Sequence, residues 1–114
     1  MHELSIVQAL VEEVEKIRVR ENAAGVVSVT VQIGALSGVE LESLNFSFPM
    51  AIEGTGMANA ALVITKTPAE VTCDECGEKS EPYLEHMRCG ACGSEQVRLS
   101  GGREVMIKSV ELRI

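Results

Sequence analysis

The chain has no tryptophan, and Phe46, Phe48 and Tyr83 are its only aromatic residues. Aliphatic side chains must therefore fill the core, and there is no stacking platform for single-stranded nucleic acid. Basic residues are also short: ten Lys and Arg stand against seventeen Asp and Glu, a formal charge of −7. Such a surface repels phosphate, which argues against nucleic acid and anionic membranes as partners. No apolar run approaches the ~20 residues of a membrane span, and none follows a basic stretch as in a signal peptide. We therefore expect a cytoplasmic protein. No nucleophile is paired with a base, and no acid with a base, so no enzyme is expected.

What is present suits one small domain, or one domain with a lobe attached. From Glu3 to about Arg20, apolar residues recur at Leu4, Val7, Leu10, Val11, Val14 and Ile17, which is helical spacing. Asn22 to Gly25 should end that helix. "VVSVTVQIG" then alternates, with Val27, Val29, Val31 and Ile33 on one face of a half-buried strand. Ser37 and Glu40 stand at capping-box spacing before a second helix expected to bury Leu41, Leu44 and Phe48. Pro49 should kink or shorten it. "ALVITKT" and "EVMIKSVELRI" read as two further strands. Met50, Met57, Met87 and Met106 are expected to fill packing gaps.

Between about 70 and 98 the composition changes to Cys, Gly and charge. A piece that small cannot build a self-sufficient core and needs a staple. Cys73, Cys76, Cys89 and Cys92 form C-x2-C-x12-C-x2-C, with Gly77 and Gly93 after each pair. Two residues between thiols let one tight turn aim both sulfurs at one point. Two such turns facing each other make the tetrahedral thiolate set of structural zinc. A thioredoxin-like redox site would need a single pair opening a helix, and an iron–sulfur cluster usually has less regular spacing. Four sulfurs leave zinc no open position for water, so the expected role is structural. The segment also carries seven acids against Lys79, Arg88 and Arg98, which again disfavours nucleic acid.

One of the two histidines is His2, directly ahead of the first helix. Its Nδ1, its amide nitrogen and the amine of Met1 can close adjoining chelate rings on one metal, and such planar nitrogen ligands suit Ni(II) or Cu(II). The other, His86, reads as a solvated residue of the cysteine loop.

"MHELS", "IGALSGVE", "FSF" followed by "GT", the two "CxxCG" knuckles and "IKSVELRI" together resemble the HypA/HybF family of hydrogenase nickel-incorporation proteins, from end to end. The resemblance implies an α+β fold, with a small three-stranded sheet flanked by two helices and a zinc lobe inserted before the last strand. It implies nickel bound by His2 and Glu3 with the terminal amine, and zinc held by the four cysteines. It implies a GTPase partner that handles nickel and delivery to the large-subunit precursor of [NiFe]-hydrogenase, with urease served in some relatives. The chain departs from many relatives at Pro49, and at Gly77 and Gly93, where a histidine often follows the cysteine pair.

The expectation is thus a nickel metallochaperone with its α/β domain over 1–69 plus 99–114 and its zinc domain over 70–98, acting as a monomer or a homodimer. The alternative is a structural zinc-ribbon interaction module with an inert amino terminus.

Overall fold

The computed structural model describes residues 3–82 and 87–114, Glu3 through its backbone only. His2, Glu85 and His86 therefore lie outside the described residues, as does Tyr83. The elements in order are α1 (Glu3–Arg20), β1 (Gly25–Gly34), α2 (Leu41–Ile52), β2 (Ala61–Thr67), β3 (Glu70–Cys73), β4 (Lys79–Ser80), β5 (Val97–Gly101) and β6 (Val105–Arg113). They make two three-stranded sheets, ordered β2-β1-β6 and β4-β3-β5. The fold class is α+β, and β6 joins the first sheet only after the cysteine segment has been inserted. Among the described residues no helix is long and apolar enough to cross a membrane.

The chain divides into two compact units. The first comprises residues 1–32, 38–65 and 106–114. Its core gathers Val7, Leu10 and Val14 of α1, Leu44, Phe48 and Ile52 of α2, Val26, Val29 and Val31 of β1, and Met57. Each such side chain contributes about 2 kcal/mol through removal from water. The α1 stripe is narrower than its periodicity suggests, because Leu4 is exposed. Of the methionines only Met57 fills the core as expected, whereas Met50 and Met106 face solvent. Likewise Val26 is buried while Val27 is exposed.

Both ends of the helix pair have identifiable causes. Asn22 takes a left-handed φ of 54°, its N–H donates to Val19 O, and the Ala23 N–H donates to Arg18 O. These two bonds form a Schellman cap, which stops α1 where expected. The Arg18 guanidinium then braces the turn, donating to Glu15 at 2.9 Å and to Ala23 O at 3.1 Å. Ser37 is not the cap of the second helix as expected: α2 begins at Leu41 with Glu40 as its N-cap. The reason is that Gly38 stands at a left-handed φ of 79°, which the first turn of a right-handed helix after Ser37 would exclude. Pro49 does not end α2, which continues to Ile52.

The second unit covers Ile33–Ser37 and Lys66–Val105, wider than the 70–98 segment that composition marks out. The difference is hydrogen bonding that composition does not register. The Gly34 N–H donates to Glu104 O, and the Glu104 carboxylate receives the Thr67 hydroxyl and the Gly102 N–H. The Thr67 hydroxyl foremost, then the local backbone amides, hold the Glu104 carboxyl below its usual range. A depressed carboxyl stabilises the fold above its unfolded pKa of about 4.3 and loses that contribution as pH falls through the lower folded value. Glu104→Gln is thus expected to lower the melting temperature at neutral pH, with the gap to wild type closing in acid. A gap that stays constant with pH would show that the charge is not what binds this carboxylate in place.

Candidate metal centre

The four cysteines converge. Cys73 ends β3, Cys76 follows in the turn to β4, and Cys89 and Cys92 lie in the matching turn before β5. β3 pairs with β5, placing Cys73 opposite Val97, and with β4, placing Val71 opposite Ser80. The four sulfurs lie within 4.8 Å of one another. Cys73 and Cys89 are buried, and Cys76 and Cys92 form the exposed edge.

The two turns repeat one hydrogen-bond pattern. Cys73 Sγ accepts the N–H of Glu75 at 3.3 Å and of Cys76 at 3.4 Å. Cys89 Sγ accepts those of Ala91 and Cys92 at the same two distances. Gly77 N–H returns to Cys73 O, and Gly93 N–H to Cys89 O. Both glycines sit at left-handed φ, 76° and 80°, which a side chain would strain. This is why each pair is written C-x-x-C-G.

The donor set fits zinc. Zn–S bonds of about 2.3 Å in a tetrahedron place sulfurs about 3.8 Å apart. Here Cys73 and Cys92 sulfurs are 3.6 Å apart, and those of Cys76 and Cys89 are 3.7 Å apart. A disulfide would need about 2.05 Å, and all four cysteines are free. Among the described residues the apolar burial of this unit is small. Its large buried apolar side chain outside the cysteines and β1 is Val71. The Arg98–Asp74 and Arg88–Glu95 ion pairs are exposed, and exposed pairs are worth about 0–1 kcal/mol.

The same N–H groups set the protonation pattern. Cys89 is pulled down to about 6, first by the Cys92 N–H and then, against desolvation, by the Ala91 N–H and the Ser80 hydroxyl. Cys73 is lowered mainly by the Cys76 N–H. Cys76 is pushed up to about 12: the Glu78 N–H pulls it down, but desolvation and the surrounding sulfurs outweigh that bond. Cys92 is also raised, the Ser94 N–H being outweighed by Cys73 and desolvation. At neutral pH the two inner sulfurs are thus the first to ionise, and the two outer ones keep their protons. A metal must displace those protons, so binding weakens as pH falls. Zinc uptake by the metal-free protein is expected to release fewer than four protons at pH 7, because Cys89 is already ionised there, measurable by calorimetry in buffers of different ionisation enthalpy. Release of four, or of none, would contradict this inner and outer division.

One neighbour carries no sequence signal. Ser80, in β4, places its hydroxyl 3.8 Å from Cys89 Sγ and accepts the Gly90 N–H at 2.9 Å. A lone serine in a polar segment is indistinguishable from a solvated one until the strands are paired.

Two helices, two three-stranded sheets and a pair of cysteine knuckles that could hold a metal ion define a small α+β protein among the described residues. Residues 1–112 match the family model described as hydrogenase/urease nickel incorporation, metallochaperone, hypA. The hydrogenase maturation factor HypA of Nitrosospira multiformis is 43% identical over 112 residues, spanning 98% of this chain and 97% of its own. That of Aquifex aeolicus is 38% identical over 114 residues, covering 100% and 99%. The solution structure of the Ni metallochaperone HypA from Helicobacter pylori superposes with a TM-score of 0.72 at 27% identity, over 99% of this chain and 98% of that one. The chain belongs to the HypA family, whose members are metallochaperones and maturation factors, not enzymes.

Proposed function

We propose that the protein carries Ni(II) at its amino terminus, on His2 and Glu3 with the amine of Met1, and delivers it to the [NiFe]-hydrogenase large-subunit precursor. Cys73, Cys76, Cys89 and Cys92 hold one structural zinc, which staples the second unit. The hand-over takes place in the cytoplasm in a transient complex with a nickel-handling GTPase, which contacts α1 because that helix carries the metal. The observation that carries this reading is the family match, which runs over residues 1–112 and so includes "MHE" and both cysteine pairs.

The chemistry fits the roles. Zinc in a closed thiolate shell supplies folding energy and no reactivity. Imidazole, amine and carboxylate are exchangeable ligands for Ni(II), as cargo requires. Equilibrium dialysis of the zinc-loaded protein against nickel tests the proposal: one further metal per chain is expected, bound without loss of zinc. Nickel that binds only by displacing zinc would sink the two-site reading.

A further inference from the structure

We infer that Ser80 is a positioning residue of the metal centre: its hydroxyl ties the second knuckle to the hairpin of the first and gives the Cys89 thiolate a third hydrogen-bond donor. The inference rests on the four-thiolate metal reading above.

Ser80 moves with the first knuckle, because β4 pairs it with Val71 of β3, the strand that ends at Cys73. Both of its polar contacts nevertheless go to the second knuckle. The Gly90 N–H donates to Ser80 Oγ at 2.9 Å, which fills an acceptor position and leaves the hydroxyl proton to be given elsewhere. A metal-bound thiolate has no proton, so the hydrogen bond across the 3.8 Å to Cys89 Sγ runs from serine to sulfur. The approach is close: a Cβ at Gly90 would stand 2.5 Å from Glu81 O and 3.4 Å from Ser80 Cβ and Oγ. Only glycine lets the second knuckle come this near. The first knuckle has the same two N–H donors on Cys73, but among the described residues no hydroxyl donates to it. The asymmetry is specific to Cys89.

Two consequences follow from that placement. The hydroxyl draws electron density from the Cys89 sulfur, which alters the metal–sulfur bond itself. It also holds the second pair of thiols near the first before the metal arrives, as outer-shell partners of metal ligands do.

The test uses the full chain loaded with Co(II) for spectra and with Zn(II) for release to a chromogenic chelator. In Ser80→Ala the thiolate-to-cobalt charge-transfer band is expected to move to lower energy, and zinc release to accelerate about tenfold. Ser80→Thr, which keeps the hydroxyl, should restore both. The serine has no such role if Ser80→Ala matches wild type in band and release. The role is equally lost if Ser80→Thr releases zinc as fast as Ser80→Ala, with neither band displaced. A wild-type protein that shows no tetrahedral thiolate spectrum would overturn the metal reading itself, and the Ser80 inference with it.

Discussion

Cys73→Ala is expected to unfold the β3–β4–β5 unit while the helices and the β2-β1-β6 sheet stay folded. The substitution removes one of four metal ligands, and structural zinc brings on the order of 10 kcal/mol to small domains of this kind. It also deprives the Glu75 and Cys76 N–H groups of the sulfur they donate to. Among the described residues the unit buries few apolar side chains: Ile33 and Pro82 are two of them. Val71 and Ala69 are buried there, and two exposed ion pairs offer about 1 kcal/mol each at best. The first unit keeps the α1 and α2 core with Val26, Val29 and Val31 of β1. Amide chemical-shift dispersion and limited proteolysis should show loss of order confined to the second unit, with zinc content falling in parallel. A variant that retains stoichiometric zinc and a protected second unit would mean that three thiolates suffice and the closed-shell reading is wrong. Removal of zinc by a chelator from the unmodified protein should reproduce the same selective loss.

The second large effect is expected at the other end of the chain. His2→Ala should abolish tight nickel binding and leave zinc in place, since the proposed nickel ligands share no residue with the cysteine cluster. Wild-type nickel affinity should fall between pH 8 and 6, because an amine with pKa of about 7.8 and an imidazole near 6.5 must both lose protons before coordinating. Calorimetric titration of zinc-loaded wild type and variant, at two pH values, measures all of this at once. Nickel binding that survives in His2→Ala, or is indifferent to pH in that window, would mean the nickel ligands lie elsewhere.

The elements that were legible from the amino-acid order are those whose cause is local. A 3.6-residue apolar period over Val7, Leu10 and Val14 makes α1 wherever it is placed, and Asn22 ends it through a cap built from neighbouring residues. The same holds for the knuckles. C-x-x-C-G specifies a turn whose own N–H groups point at its own first sulfur, so the four cysteines that converge are readable before any tertiary contact is known. The spacing of Phe48 from Leu44 marks it as a core residue.

What only the tertiary structure decided depends on partners far along the chain. Ala35 and Leu36 stand in an ordinary stretch between β1 and α2, yet their N–H groups donate to Thr67 O and Gly102 O, and residues 33–37 fall in the second unit. Glu104 is one acid among seventeen until Thr67 and Gly102 close on it. The boundary of the second unit follows those bonds, not composition. Ser80 lies ten residues from Gly90 and meets the second knuckle only because β4 pairs with β3. Sequence by itself determined where α1 would run and end and which four sulfurs would converge. The pairing of strands decided which ordinary polar residue stands beside those sulfurs, because proximity between distant segments is a property of the folded chain alone.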